Sequence, residues 1–258
     1  MSIDFKLDDE GIALITMNRP EKLNALDADH YRMLSEAWER VRDDPAVRVA
    51  IITGAGEKSF CAGADIKAWI GRDVELSELW LTQKGQLLNR GLEVWKPVIA
   101  AVNGLAIGGG TTLLLATDIR VAVTEATFGV AEVKRGVIAG NGGTQRIAKQ
   151  LPHCIAMEML LVGNTITAAT AERWGLINSI VPRDKLMEVA YDYARKIAAN
   201  APLAVQACKE LAIRSLDLDL AQGLRLEQMT SHILQRSEDV KEGRAAFAEK
   251  RAPKFQGR

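Results

Sequence analysis

Three short runs of almost uninterrupted apolar residues constrain the fold of this chain most strongly. They cover residues 47–53, 98–102 and 119–123. Runs of this kind are typical of parallel strands that are buried on both faces. Parallel strands of one sheet are joined by crossover connections, which are usually helical. The three runs therefore predict an α/β fold with a parallel sheet at its centre.

The segments around these runs complete a coarse prediction of the fold. Residues 3–7 and 11–17 are predicted to form two short strands. Residues 27–42 have helical spacing, with Asp27 as a candidate N-cap. From residue 145 onward the strong signals are helical. The predicted helices of this second half are residues 168–174, 185–199, 203–213, 218–233 and 239–247.

Length and composition limit the domain count and the class of protein. The chain has 258 residues and no low-complexity linker, so we expect a core of residues 1–195 and a helical region of residues 196–258 for assembly. The formal net charge is zero, which argues against nucleic-acid binding. Three cysteines without metal-like spacing favour a reducing compartment. Without a visible signal peptide or membrane span, we expect a cytoplasmic protein with no membrane partner and no metal.

A triple glycine at residues 108–110 precedes a short predicted helix that begins near Thr111. Because glycine has no Cβ, a ligand carbonyl can approach the backbone closely there. The free N–H groups at the start of the helix would then face that ligand. An enolate oxygen held in this way would be stabilised by preorganised hydrogen bonds. The same glycines also fit a strand-to-helix turn that binds nothing.

Two further segments supply candidate partners for this turn. Residues 61–66 are mostly small and follow the predicted strand at 47–53, so their amides can provide a second oxyanion donor. Cys61 at the start of this segment is interpreted as a small buried residue rather than a nucleophile. Glu132 stands in an apolar stretch, where burial would raise its pKa and suit it to proton transfer. The alternative for Glu132 is an ordinary strand-end or surface glutamate.

Together these motifs resemble the crotonase family, the enoyl-CoA hydratase/isomerase superfamily. The resemblance rests on four segments in the family order, namely NRPEKLNAL at 18–26, AGADIK at 62–67, PVIAAVNG at 97–104 and FAEKR at 247–251. It covers nearly the whole chain, and the combination is far more specific than any one motif. The resemblance implies an α/β, crotonase-type spiral of β-β-α units with a C-terminal helical trimerisation region.

The resemblance also implies a substrate, an assembly and a set of site residues. The substrate would be an acyl-CoA thioester, with coenzyme A as part of the substrate and no separate cofactor. The assembly would be a homotrimer, or a hexamer made of two trimers. The amides of Ala64 and Gly109 would hold the thioester oxygen, and Glu132 would shuttle a proton. The residues expected to contact coenzyme A are Lys22, Leu23 and Ala25 along its path, Ala62, Asp65 and Ile66 around the adenine, and Phe247 and Lys250 from a neighbouring subunit.

The chain departs from the family pattern at Thr112. Hydratases of this family usually carry a second glutamate at that position, two residues after the triple glycine. Threonine cannot act as a carboxylate base, although its hydroxyl can hydrogen-bond water or substrate. Hydration and double-bond isomerisation therefore both remain candidate reactions, with Glu132 as the lone acid. Asn141, beside a later glycine-rich turn, is interpreted as a helix cap, with a polar contact to a water or substrate group as the alternative.

Other functions stay open on the sequence alone. Acyl-CoA hydrolysis, decarboxylation and carbon–carbon cleavage occur in this fold, and a non-catalytic acyl-CoA-binding protein would keep the same loops. RNA binding is known in the family, and the zero net charge argues against it here. Trp69 and Trp80 lie on a segment that borders the acyl pocket in this family. They would either shape a pocket for a bulky or cyclic acyl group or serve as core or interface anchors.

Overall fold

The strands supply the framework that positions the site. The computed structural model describes residues 2–69 and 87–258. Within these residues, in chain order, the strands are β1 (Ile3–Leu7), β2 (Ile12–Met17), β3 (Val49–Gly54), β4 (Ser59–Cys61), β5 (Val98–Val102), β6 (Leu105–Ile107), β7 (Ile119–Val123), β8 (Thr127–Gly129), β9 (Ile166–Thr167) and β10 (Ser179–Val181).

These strands form two sheets. The six-stranded sheet has the order β1-β2-β3-β5-β7-β10 and is parallel except for the β1–β2 pair. The four-stranded sheet has the order β4-β6-β8-β9, and its β8–β9 pair is antiparallel. The pairs β3 and β4, β5 and β6, and β7 and β8 each place one strand in either sheet. The predicted α/β spiral of β-β-α units is therefore confirmed.

Helices follow the strand pairs and make up most of the second half of the chain. The helices of the described residues are α1 (Ala28–Asp43), α2 (Ile66–Trp69), α3 (Gly109–Leu114), α4 (Gly143–Gln150), α5 (His153–Met157), α6 (Ala168–Arg173), α7 (Leu186–Ala198), α8 (Pro202–Arg214), α9 (Leu220–Leu234) and α10 (Glu238–Glu249). A π-helical turn, Glu158–Val162, continues α5. Short 3-10 turns occur at Pro20–Lys22, Leu88–Arg90, Glu132–Arg135 and Arg183–Lys185.

The sequence located the long elements well and the short ones poorly. β1, β5 and β7 have the predicted bounds. The predicted N-cap of α1 is confirmed, because the Asp27 carboxylate accepts hydrogen bonds from the amides of Asp29 and His30. The sequence analysis missed β4, β6 and β8, which have three residues each. Such short strands carry too few residues for a recognisable alternation of polar and apolar side chains.

One part of the core lies between the six-stranded sheet and α7. This helix packs across β3, β5 and β7. Its buried face consists of Leu186, Ala190, Ala194 and Ala198, spaced four residues apart. Small alanine side chains on this face let the helix approach the sheet closely. The predicted division between residues 1–195 and 196–258 falls inside α7 and stays a prediction.

Arg120 fixes the end of α3, the helix that follows the triple glycine. The residue is 7% exposed, and its guanidinium donates to the backbone carbonyls of Leu115, Thr117 and Leu176. Burial lowers the pKa of this guanidinium to about 10, so it still carries its charge at neutral pH. The three bonds tie the end of α3 to the segment before β10 and hold α3 in place behind the site.

The last three helices expose apolar side chains in the single chain. α8 and α9 contain no buried residue there. On α9 and α10, Leu220 is 78% exposed and Phe247 is 87% exposed. Within the part of the chain that the structure describes, no helix combines the length and the apolar character needed to cross a bilayer.

Gly110 offers a test of how tightly α3 packs against β4. A Cβ on Gly110 would lie 2.0 Å from the Cys61 carbonyl oxygen, far inside van der Waals contact. We expect Gly110→Ala to lower the free energy of unfolding by roughly 1–3 kcal/mol, because the backbone of α3 or β4 must shift. Urea unfolding of the variant and the wild type measures the difference.

The matched control for this test is Gly223→Ala. Gly223 lies inside α9, and a Cβ there would meet nothing within 4 Å. Alanine is the better helix former, so this variant should unfold at the same or a higher urea concentration, with a gain of up to about 1 kcal/mol. Equal stability of Gly110→Ala and the wild type would contradict the close contact between α3 and β4.

Candidate active site

Two glycine-containing loops meet where the sequence predicted an oxyanion site. One loop follows β4 and contains Gly63 and Ala64, and the other follows β6 and contains Gly108 and Gly109. A Cβ on Gly63 would lie 2.8 Å from the Gly109 nitrogen, and Gly63 has a φ of 86°. A side chain there would collide with the facing backbone and strain its own, so this approach requires glycine.

The backbone around Ala64 turns its N–H away from the neighbouring chain segment. Leu26 forms an isolated parallel bridge with Ala64. The Leu26 amide donates to the Gly63 carbonyl at 2.8 Å, and the Leu26 carbonyl accepts from the Asp65 amide at 2.9 Å. In such a pairing the N–H of the central residue points to the opposite side. Within the described residues, neither the Ala64 amide nor the Gly109 amide donates to another backbone group.

Arg19 holds the Ala64 loop against the start of α1. Its guanidinium lies 3.1 Å from the Asp65 carboxylate and 3.3 Å from the Asp27 carboxylate, and it also donates to the Ala25 carbonyl. These side chains are largely shielded from water, which weakens the screening of their attraction. The sequence analysis missed this role of Arg19, although the residue stands in the NRPEKLNAL segment that carried the family resemblance.

Glu132 lies at the start of a 3-10 turn, directly against the triple glycine. Its Oε1 is 3.3 Å from the position of a Cβ on Gly108. Its Oε2 is buried and has no hydrogen-bond partner among the described residues. Burial raises the pKa of this carboxyl above its ordinary value, while its own backbone amide and Arg135 oppose the rise. A carboxyl group in this state beside the two glycine-containing loops is suited to proton transfer.

Thr112 is enclosed in the wall behind the triple glycine. It is 1% exposed, and its buried hydroxyl has no hydrogen-bond partner within the described residues. This hydroxyl lies 2.9 Å from the position of a Cβ on Gly143, in the first turn of α4. The neighbouring Thr111 differs, because its hydroxyl bonds to the Ala106 carbonyl and the Gly129 amide. Thr111 is therefore a structural residue, whereas the Thr112 hydroxyl has no partner in the described part of the chain.

The predicted coenzyme A contacts fall into two groups in the structure. The Ala62 amide donates to the Leu23 carbonyl at 3.0 Å, so residues 20–26 lie beside the Ala64 loop. Phe247 is on α10, and Lys250 follows it with a left-handed φ of 51°. The first group consists of Lys22, Leu23, Ala25, Ala62, Asp65 and Ile66, and the second consists of Phe247 and Lys250. The contact of both groups with coenzyme A stays a prediction.

The structure also bears on the predictions for Cys61 and Asn141. Burial raises the pKa of the Cys61 thiol to about 12, in keeping with a core residue rather than a nucleophile. The interpretation of Asn141 as a helix cap is wrong, because Gly142 is the N-cap of α4 and makes no side-chain cap. Asn141 instead takes a left-handed φ of 53°, which asparagine tolerates. Trp80 and the side chain of Trp69 lie outside the described residues.

Among residues 2–69 and 87–258, no group of three or more His, Cys, Asp or Glu side chains is placed to hold a metal ion.

The chain is similar over nearly its whole length to enzymes that act on coenzyme A thioesters. The family model for enoyl-CoA hydratase/isomerase matches residues 8–258. The (E)-benzylidenesuccinyl-CoA hydratase of Thauera aromatica is 45% identical over 95% of this chain and 96% of that protein. The carnitinyl-CoA dehydratase of Proteus mirabilis is 42% identical over 100% of both chains.

Solved structures share the fold as well. The crystal structure of an enoyl-CoA hydratase from Bacillus anthracis matches with a TM-score of 0.92 at 35% identity and covers 100% of both chains. An enoyl-CoA hydratase from Mycobacterium tuberculosis matches with a TM-score of 0.89 at 37% identity, over 100% of this chain and 99% of that one. Sequence, fold and family model agree, and the chain belongs to the enoyl-CoA hydratase/isomerase family.

Proposed function

We propose that this enzyme adds water to an enoyl-CoA thioester, or removes it in reverse, with Glu132 as its acid–base residue. One observation carries the proposal: the backbones of Gly63 and Gly109 touch beside a half-buried carboxyl group with a raised pKa. Relatives at 45% and 42% identity bear the names hydratase and dehydratase, which favours water addition or removal over the other reactions of this family.

The amides of Ala64 and Gly109 are proposed to bind the thioester oxygen. During the reaction, negative charge moves onto this oxygen as the substrate becomes enolate-like. Two preorganised N–H donors then stabilise the transition state more than the ground-state carbonyl, which lowers the barrier. Losing one such donor typically costs about 3–4 kcal/mol of barrier.

Glu132 can serve both proton transfers of hydration in turn. As a carboxylate it takes a proton from water while the water oxygen bonds to the β-carbon. The electron pair of the carbon–carbon double bond then forms an enolate whose charge lies on the thioester oxygen. The protonated Glu132 gives its proton to the α-carbon, and the thioester carbonyl forms again. The net change is one added water, and the carboxylate is regenerated.

The Thr112 hydroxyl is proposed to orient the attacking water. A buried hydroxyl without a partner is unfavourable, so a water molecule or a product hydroxyl that bonds to it gains free energy. Threonine would thus replace the positioning role of a second glutamate without replacing its proton transfer. Isomerisation by Glu132 alone is the second candidate, since it requires no water at Thr112.

Coenzyme A is proposed to lie along the first group of predicted contacts, beside the Ala64 loop. Phe247 and Lys250 would reach it from a neighbouring subunit. The exposed apolar side chains of α9 and α10 support a homotrimer, or a hexamer of two trimers, because patches of this kind commonly mark interfaces. The proposed contacts of the chain itself are Lys22, Leu23 and Ala25 along the path, and the backbones of Ala62, Asp65 and Ile66 around the adenine.

The first test removes the carboxyl group. Glu132→Gln should lower kcat by roughly 10²–10⁴-fold, because it deletes the proton shuttle and keeps the shape of the side chain. The assay is a panel of acyl-CoA thioesters followed by mass spectrometry, in which hydration adds the mass of one water. Binding of acetyl-CoA should persist. Unchanged turnover in a folded variant would contradict the role of Glu132, and a wild type that binds acyl-CoA without turnover would favour a non-catalytic protein.

The second test uses pH. The carboxylate is the active form, and burial raises its pKa, so kcat/KM should fall as the pH drops through a midpoint above the ordinary value of 4.5.

The stability of the protein should depend on pH for the same reason. The raised pKa makes the charged form of Glu132 unfavourable in the folded state, so the stability contributed by the protonated form is lost as the pH rises through the raised pKa. The Tm advantage of Glu132→Gln over the wild type should therefore be larger at pH 8 than at pH 4. A constant Tm difference would argue against a buried carboxyl.

The third test separates hydration from carbon-acid chemistry. Thr112→Val keeps the shape of the side chain and removes the hydroxyl. It should lower hydration by roughly 10-fold or more, through loss of one hydrogen bond to water. Exchange of the α-protons of a saturated acyl-CoA with D₂O needs only Glu132 and the two amides, so it should stay within about threefold. Loss of both activities in equal measure would contradict a water-positioning role, and a wild-type product of unchanged mass would favour isomerisation.

A further inference from the structure

Tyr31 brings a phenol hydroxyl to the oxyanion loops. A Cβ on Gly109 would lie 3.4 Å from the Tyr31 hydroxyl oxygen and 3.5 Å from the Ala64 nitrogen. By standard covalent geometry, the Gly109 nitrogen is about 2.5 Å from the same position. Three polar groups, two of them the proposed oxyanion donors, therefore surround one small volume. Neither the glycine motifs nor the Glu132 segment indicated a residue from the N-terminal part of the chain.

The position of Tyr31 is set by the same contacts that hold the Ala64 loop. Tyr31 lies in the first turn of α1, where its amide donates to the Asp27 carbonyl at 3.0 Å. The Asp27 carboxylate and the Asp65 carboxylate share the Arg19 guanidinium. The Tyr31 ring is half-buried and packs against the core. Because a tyrosine side chain has only two rotatable bonds, a packed ring fixes the place of its hydroxyl closely.

We propose that the Tyr31 hydroxyl donates a third hydrogen bond to the thioester oxygen as this oxygen becomes enolate-like. The inference rests on the proposed function of Ala64 and Gly109. A phenol carries one donor and two acceptor positions, so it can donate to the substrate while it accepts from another group. A hydrogen bond to a charged oxygen is stronger than one to a neutral oxygen, so this contact favours the enolate over the ground-state thioester.

The direct test measures the thioester carbonyl itself. Acetyl-CoA labelled with ¹³C at the carbonyl is bound to the wild type and to Tyr31→Phe, and the carbonyl stretch is recorded by infrared difference spectroscopy. Loss of one hydrogen-bond donor weakens the polarisation of the thioester carbonyl, so its stretch should move to higher frequency in Tyr31→Phe. Replacement of Tyr31 by 3,5-difluorotyrosine, whose phenol is a stronger donor, should move it to lower frequency. Acetyl-CoA has no double bond to hydrate, so turnover does not disturb the spectrum.

Kinetics supply the second readout. On the substrate found in the panel, Tyr31→Phe should lower kcat by roughly 10- to 100-fold and change KM by less than about threefold, as expected for a bond formed mainly in the transition state. Tyr191→Phe is the matched control. Its ring lies beside Arg195 on α7, and phenylalanine keeps that contact, so both the stretch and kcat should stay at wild-type values.

Two results would overturn the inference about Tyr31. An unchanged carbonyl stretch with reduced kcat would make Tyr31 a packing residue, and an unchanged kcat would exclude it from the reaction. Tyr31→Phe with a wild-type Tm and both effects supports it. The proposed function is tested by a different measurement. Full turnover in Glu132→Gln would contradict the proton shuttle, whereas the infrared shift in Tyr31→Phe does not depend on Glu132. Absence of acetyl-CoA binding to the wild type would contradict both.

Discussion

The close approach of two backbones, at Gly63 and Gly109, is the constraint on which the rest of the site depends. Each glycine follows one of the neighbouring parallel strands β4 and β6, and Glu132 follows β8, the next strand of the same sheet. Adjacent parallel strands end at the same edge of a sheet, so their following loops converge there. Successive turns of the spiral thus bring the Ala64 loop, the triple glycine and the Glu132 carboxyl group to one edge of the sheet.

Two arginines hold the chain segments around this edge of the sheet in place. Arg19 attaches the Ala64 loop to the start of α1 through two carboxylates. Arg120 secures the far end of α3 mainly through backbone carbonyls, with a further bond to the Gln150 side chain. Glu132, by contrast, keeps one oxygen without a partner among the described residues. The two arginines therefore bond within the protein, whereas Glu132 has a buried oxygen that can accept a hydrogen bond from a ligand.

The sequence predicted the buried strands because their apolar runs are long enough to recognise. It missed β4, β6 and β8, although these three-residue strands determine where the site lies. The triple glycine and Glu132 were recognisable since their chemistry is unusual at the level of single residues. Arg19 and Tyr31 were not, because each reaches the site through contacts more than 40 residues away in sequence, which no local pattern encodes. The prediction that Asn141 caps a helix was wrong for a local reason, because Gly142 occupies the N-cap position of α4.

The bridge between Leu26 and Ala64 has an evolutionary consequence. The direction of the Ala64 N–H is set by main-chain pairing and not by the methyl group of residue 64. Mutations that reshape nearby side chains can therefore alter the surface around this N–H while its direction stays the same. A lineage built on such a scaffold can acquire new substrates by drift and duplication without first losing its chemistry.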